Sequence, residues 1–533
     1  MRNRWAALVA LCIAELLVMV DNTIVNVALP TMSRDLGAGV SGLQWIVDAY
    51  TLVFAGLLLT GGYLGDRFGH RRMLLTGIGG FVVVSVVAAA STTLGQLIAA
   101  RAGLGMFAAL VFPATLALII AAFPEAKERA TAVGVWAATS GAAVAVGPVL
   151  GGWLLNHFSW ASVFWVNVPF GAVAAAAILI AVRAPERRPA LLHRLDATGI
   201  ALSVVGLGLL TYSVIEGPSV GWATARTIGG LLIAVAVLVV FVVHQARSAH
   251  PIFNVRLFAN RRFAAAAGMI SVAFFALFGF IFLITQFFQG VMGYTPLQAG
   301  IRTLPFAVVV AVLSPVAMAF SHRFGPRTVA AGGALLMASG FALVELTDRQ
   351  STYFGLIIWS MMLMAAGLAM ISGPCTQVIM DALPEHQTGA GSAINDTTRE
   401  VGGTLGVAVL GSVMTSVYAA NVGLRLDRLG VPAEAIQIAQ QSVMAGAEMA
   451  YRAPQSTSEQ VSAVVADVFV DGLGQATWVA VGVCLVAAVL GAWALRDGSP
   501  RESQPLIGHP VDAPTAFHVS EHAGDVGGGN QVR

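Results

Sequence analysis

Fourteen stretches of about twenty mostly apolar residues succeed one another along this chain, and that repetition limits its fold more than any other feature. An α-helix of about 20 residues crosses a bilayer core, and in lipid every backbone N–H and C=O must find its partner inside the segment or a closed barrel. The candidate spans lie at 5–29, 43–64, 73–93, 95–121, 130–155, 161–182, 197–216, 227–245, 264–288, 299–320, 329–346, 353–380, 391–415 and 473–495. They predict an all-α polytopic membrane protein with 14 transmembrane helices. Arg2 and Arg4 precede the first run. That run carries Glu15 and Asp21 and exceeds the apolar core of a cleavable leader, so it reads as a retained first helix.

Composition excludes the main alternatives. Only 11% of the 533 residues are charged and 57% are hydrophobic, with a mean hydropathy of +0.80. A soluble domain carries about 25% charged residues, so this surface faces something other than water. Lys127 is the only lysine, and it sits in Pro124-Glu125-Ala126-Lys127-Glu128-Arg129. No phosphate-binding GxxxxGK[ST] loop exists, so this chain does not itself hydrolyse ATP to drive work. Cys12, Cys375 and Cys484 lie far apart in apolar runs, and the histidines are dispersed. Neither set forms a metal site, a disulfide framework or a nucleophile–base pair, and we expect no enzyme activity, no cofactor and no nucleic-acid partner.

Arginine bias sets the orientation. With the N-terminus in the cytoplasm, inner loops collect Arg67, Arg71, Arg72, Lys127, Arg129, Arg183, Arg187, Arg188, Arg194, Arg247, Arg256, Arg261, Arg262, Arg323 and Arg327. Outer loops before the last hold Arg34, Arg226 and Arg349. The asymmetry places both termini inside the cell. Two segments break the pattern. Residues 416–472 read as a long outer loop, whose weakly amphipathic stretch around Val431 to Tyr451 reads as a solvated surface helix, with a cover over the outer vestibule as the alternative. The tail from Asp497 to Arg533, rich in Gly, Pro and His, reads as disordered. Asp66-Arg67-Phe68-Gly69-His70-Arg71 recurs as His322-Arg323-Phe324-Gly325-Pro326-Arg327, which suggests two related halves.

Ionisable residues inside spans are costly and mark function by default. Asp21 sits mid-helix in the first span, Asp48 in the second and Arg101 in the fourth. Asp396 and Glu400, spaced i, i+4, share one face of the thirteenth, with Arg399 beside them. A carboxyl withdrawn from water can exchange a proton near neutral pH, which suits a site where protons and a cationic solute compete. Pairing with arginine or helix capping is the plainer alternative for each acid. Arg101 requires an acid or carbonyls from neighbouring helices. Gly147-Pro148 with Gly151-Gly152 bends the fifth span and lets another helix approach closely.

Together these motifs resemble the major facilitator superfamily, in particular its fourteen-span drug:proton antiporter branch. Gly62-Tyr63-Leu64-Gly65-Asp66-Arg67-Phe68-Gly69-His70-Arg71-Arg72 is similar to the superfamily's loop signature, with His70 in place of the usual basic residue. The resemblance implies that Asp66, Arg67 and Arg71 form a cytoplasmic ion-pair latch that holds the halves together in one state. Leu97 to Ala109 resembles the fourth-span motif whose arginine, here Arg101, is implicated in proton coupling; Leu104 and Phe107 depart from it. Gly147, Pro148, Gly151 and Gly152 resemble the fifth-span antiporter motif, with Ala143 replacing an upstream glycine. Asp21 through Pro30 is similar to the branch's first-span signature, and Asp48, Asp396 and Glu400 fall where its quaternary-ammonium exporters place acids.

The implied fold is two pseudo-symmetric six-helix bundles, residues 1–194 and 247–496, with two extra central helices over 195–246 and the tail from 497 to 533. The implied function is proton-driven export of lipophilic cations such as antiseptics and dyes from the inner (plasma) membrane, a form of antibiotic resistance. Export of another cargo, such as a lipid, siderophore or secreted metabolite, stays open at this point.

Overall fold

A computed structural model of the chain describes residues 4–182, 196–248, 251, 255–382, 388–452 and 455–495. The tail expected to be disordered lies outside the described residues, as do Arg183, Arg187, Arg188 and Arg194. The described chain is helical, with 14 helices long and apolar enough to cross a membrane. In order these are α1 Arg4–Leu36, α2 Val40–Phe68, α3 His70–Ala89, α4 Leu94–Ala122, α5 Ala126–His157, α6 Ser162–Ala181, α7 Ala197–Val220, α8 Ala225–Arg247, α9 Arg261–Val291, α10 Pro296–Phe324, α11 Pro326–Val344, α12 Tyr353–Asp381 and α13 Thr388–Asp427. Two short helices, α14 Ala433–Gln441 and α15 Val443–Arg452, precede the last span, α16 Gln455–Ala494.

Hydroxyl and amide side chains start several spans by taking up orphan N–H groups. Thr93 caps α4, Thr224 caps α8 and Asn260 caps α9, and Thr295 with Gln298 forms a capping box on α10. The sequence echo is a structural repeat. Gly69 (φ +95°) and Gly325 (φ +81°) each form a one-residue corner between two helices, α2–α3 and α10–α11. Each returns its N–H to the carbonyl four residues back, Gly65 or Ser321. Only glycine adopts that conformation without strain.

Small residues set how closely the spans pack. A Cβ on Gly61 or Gly105 would collide with the main chain of Ala109 or Tyr50, so α2 and α4 meet backbone to backbone. Between the halves, α5 packs on α10 and α2 on α13. The α7–α8 pair is central in sequence but peripheral in space. α7 lies against α2 and α13, whereas α8 packs on α7 and exposes Leu232, Val235 and Val239, the pattern of a lipid-facing helix.

The end of that hairpin is clasped by one acid. Asp196 accepts from Gly199 N–H (2.8 Å) as the cap of α7, from Gln245 Nε2 (2.8 Å), and pairs with His244 Nε2 (2.8 Å) on α8. Burial favours its neutral form, but the hydrogen bonds from His244, Gly199 and Gln245 together prevail and lower its pKa. A depressed carboxyl contributes stability above its unfolded pKa and loses it as pH falls through the folded one. Asp196→Ala is expected to lower stability by about 1–2 kcal/mol at pH 7. The difference from wild type should vanish below the usual carboxylate range of about 3.9, as read by thermal unfolding against pH.

The long outer loop is shorter than the sequence predicted. Residues 416–427 complete α13 and 455–472 belong to α16, each helix having 40 residues and so running about 60 Å, beyond the bilayer core. The amphipathic stretch is two helices rather than one, with Glu434, Gln437 and Ile438 exposed on the first. Its residues form α14 and α15, which bury Ala439, Val443, Met444 and Ala450, and the fully buried Tyr418 on α13 donates its hydroxyl to Ala439 O (3.1 Å). The window reading stopped early because these extensions alternate apolar and polar faces rather than being apolar throughout.

Candidate functional site

The structure joins three spans at Asp21. Arg101 Nη1 on α4 donates to Asp21 Oδ2 on α1 (2.6 Å), and Asn167 Nδ2 on α6 donates to Oδ1 (2.6 Å) and reaches Ser85 Oγ on α3 (3.1 Å). Arg101 also donates from Nε to Ile46 O (2.9 Å), and its guanidinium lies 4.3 Å from the ring centroid of Tyr50. The Tyr50 hydroxyl in turn donates to Val18 O (3.2 Å). Asp21, Arg101 and Tyr50 are each 0% exposed. In a dry bundle each charge makes the other tolerable, because a lone buried ion costs several kcal/mol. Protonating Asp21 would leave the cation of Arg101 without its counter-charge, so one proton can change what these helices prefer to pack against. The sequence identified Asp21 and Arg101 but not their pairing, and it missed Asn167, Tyr50 and Ser85. A lone Asn in the apolar run Phe164 to Ala177 was the available signal for Asn167.

Asp48 and Glu400 lie along a different line, where α2 meets α13. Gln44, Asp48 and Thr51 share one stripe of α2. Gln44 reaches Val407 O and Ala408 O on α13, and Thr404 Oγ1 donates to Thr51 Oγ1 (2.9 Å). Asp48 is held between these contacts at 0% exposure, and neither of its carboxyl oxygens has a hydrogen-bond partner among the described residues. Glu400, one turn from Thr404 on α13, is buried with Oε2 unpartnered. Asp396 is buried one turn further along, 3.9 Å from Arg399 Nη1 and bonded by Asn395 Nδ2 (3.4 Å). Arg399 turns its guanidinium over Phe274 on α9 (5.1 Å). The structure thus separates acids that the sequence grouped. Asp21 is fully paired, Asp396 has a distant arginine, and Asp48 and Glu400 present unpartnered oxygens.

The loop residues are arranged differently from an ion-pair latch. Asp66, whose side chain is 69% exposed, meets His70 Nε2 (3.0 Å) rather than Arg67 or Arg71. Arg67 lies near Tyr63 OH and over Phe68, and Arg71 donates to Leu179 O. Gly62 packs loosely on Pro113 of α4.

The fifth-span glycines do two separate jobs. Side chains on Gly147 and Gly151 would strike Thr23 and Ile24, so these two seat α5 on α1. Gly152 faces across the seam: its Cβ would come 2.6 Å from Pro296 O at the start of α10, and Gly300 in turn meets Pro148 O. Among the described residues no three His, Cys, Asp or Glu side chains gather as metal ligands.

The Major Facilitator Superfamily description matches residues 11–407. This chain belongs to that superfamily. It is 36% identical over 427 residues to multidrug resistance protein Stp of Mycobacterium tuberculosis, covering 80% of this chain and 79% of that protein. It is 32% identical over 523 residues to the tetracenomycin C resistance and export protein of Streptomyces glaucescens, covering 96% and 95%. With methyl viologen resistance protein SmvA of Salmonella typhimurium it shares 34% identity over 467 residues, 86% and 92% of the two chains. Among solved folds, a bacterial homologue of the human lysosomal transporter Spinster, inward-facing and unoccupied, superposes with a TM-score of 0.64 at 18% identity over 92% of this chain and 97% of that one. In major facilitator terms, then, the Asp21 cluster lies within the first half, whereas Asp48 and Glu400 lie on the seam between halves.

Proposed function

We propose that this chain is a proton-coupled antiporter that exports lipophilic cationic compounds, such as quaternary ammonium antiseptics and dyes, from the inner membrane by alternating access, with both termini cytoplasmic. Relatives named for multidrug resistance and drug export support the efflux part of this reading. The observation that carries the coupling is the pair of buried carboxyls with unpartnered oxygens, Asp48 and Glu400, on the seam that must open and close. A carboxyl there can hold a proton or face a cation, but not both at once. Asp21, paired to Arg101, acts as the proton-responsive element within the first half, and Asp396 tunes Glu400 as a like charge one turn away. Asp66, Arg67 and Arg71 engage as the inner latch in the opposite conformation, with Gly62 and Gly69 shaping that loop. Gly147 and Gly151 seat α5 on α1, and Pro148 and Gly152 close the outer end of the α5–α10 seam.

The driving force is adequate. One charge crossing about 100 mV is worth about 2.3 kcal/mol. Exchange of a monovalent cation for one proton uses only the pH difference; a dication needs more than two protons for the potential to contribute. Cells making the protein are expected to accumulate less ethidium than vector controls, and a protonophore should abolish that difference. Equal ethidium retention in both would refute cation export, and efflux that survives the protonophore would refute proton coupling.

A further inference from the structure

The structure holds the two halves together at their outer end through neutral side chains, and two of these reach main-chain carbonyls across the seams. On one seam, Gln44 Nε2 donates to Val407 O (2.9 Å) and Ala408 O (2.9 Å), with Ser412 Oγ at 3.4 Å. On the other, Gln289 Nε2 on α9 donates to Val27 O on α1 (2.9 Å). Gln44 is 1% exposed and Gln289 9%. A helix carbonyl already bonded within its own helix keeps a second lone pair, so these acceptors are available without breaking a turn.

Each seam is built to admit its amide. A Cβ on Gly411 would come 2.6 Å from Gln44 Nε2, so glycine at that point of α13 lets the side chain lie on the helix backbone. Because two carbonyls face it, the Gln44 amide must present its NH2 there, and its Oε1 is left buried and unpartnered. Gln289 sits in the π-turn Phe287–Val291 that ends α9. Such a turn shifts side-chain direction relative to an α-helix and often marks a working part of a helix. The bonds run reciprocally, from the first half to the second at Gln44 and from the second to the first at Gln289.

We propose that Gln44 and Gln289 are the outer-gate positioning residues: a pair of amide clasps, one per seam, that set how often the outer end opens. The inference rests on the alternating-access reading above but does not depend on the cargo or on protons. It makes the outer closure a matter of hydrogen bonds to backbone, which reform in the same geometry on each cycle. Breaking a clasp leaves carbonyls that are already satisfied within their helices, so the closed state weakens without a large folding penalty.

The test uses the full-length protein with Cys12, Cys375 and Cys484 replaced by alanine and spin labels at Asp35→Cys and Arg428→Cys, two exposed positions at the outer ends of α1 and α13. Gln44→Leu and Gln289→Leu should each raise the population with a long inter-label distance by about tenfold, the equivalent of about 1.4 kcal/mol. From a minor state of about 1%, the single variants reach about 9%. The double variant reaches about 50%, because well-separated sites add. Gln298→Leu removes a capping amide at the same level that does not cross a seam, and should leave the distances unchanged. If the two clasp variants stay monodisperse and keep the wild-type distance distribution while substrate or pH still shifts it, the proposal is overturned. If no variant, substrate or pH change moves the labels at all, alternating access itself is what fails. A shift equal in size for Gln298→Leu would show general loosening, and would also overturn the specific role of the clasps.

Discussion

Arg101→Ala is expected to abolish proton-driven efflux and, unusually for a transport residue, to damage the fold as well. The guanidinium bonds Asp21 and Ile46 O and stacks on Tyr50, all at 0% exposure apart from the main-chain acceptor. Removing it leaves the carboxylate with Asn167 alone, and breaking a buried pair from one side costs about 3–5 kcal/mol. The decisive comparison is with Asp21→Asn and with the double variant Asp21→Leu/Arg101→Leu. Asp21→Asn keeps the shape but leaves the buried Arg101 cation without its counter-charge and offers one acceptor oxygen where the carboxylate offers two, so it too should lose about 3–5 kcal/mol, while vesicle efflux driven by an imposed pH gradient falls by at least about a hundredfold, about 2.7 kcal/mol or more in rate terms. The double variant should recover most of the stability that Arg101→Ala loses, since an apolar pair of similar volume replaces a buried ion pair at little cost, and should still not transport. Wild-type efflux in Asp21→Asn would remove the pair from the coupling mechanism and leave it as a structural tie among α1, α4 and α6.

That comparison also shows which parts of the site were legible in the sequence. Lipid excludes unpaired charge, so Asp21, Asp48, Arg101 and Glu400 stand out inside apolar runs with no structure needed. Their partners do not stand out. Asp21 and Arg101 are 80 residues apart, and nothing local in either helix states that they meet. Asn167, Gln44 and Gln289 are neutral, and neutral amides occur in spans often enough that their presence alone marks nothing. The spans themselves were readable because a bilayer imposes a length on every crossing, and the corner at Gly69 was readable because its repeat at Gly325 fell after another span. Which faces of α14 and α15 pack on protein was not legible, because a hydropathy window cannot tell a covered face from a wet one. The two jobs of the fifth-span glycines were likewise invisible: Gly147 and Gly152 look alike in sequence, yet one faces α1 and the other α10.

Asp48→Leu should produce the opposite signature from Arg101→Ala: a more stable protein that does not transport. Asp48 is fully buried on the α2–α13 seam with both carboxyl oxygens unpartnered, between the Gln44 and Thr51 contacts. A polar group buried without a hydrogen bond costs about 1–3 kcal/mol, and a residue of purely structural use would have no reason to carry that cost. Leucine has the same branching as aspartate and needs no hydrogen-bond partner, so the variant should gain about 1–3 kcal/mol, seen as a higher unfolding temperature in detergent. Efflux should be lost, because leucine neither holds a proton nor faces a cation. Asp48→Asn divides the two effects: it cannot titrate, so transport falls as far as in the leucine variant, but it retains polar atoms at the seam and gains less stability. A drop in unfolding temperature for Asp48→Leu would mean that the carboxyl has a partner contributing to the fold, and the charge at the seam would then be structural rather than a carrier. Stability gained together with full transport would exclude Asp48 from proton and cation binding alike and leave Glu400 as the seam's remaining carboxyl with an unpartnered oxygen among the described residues.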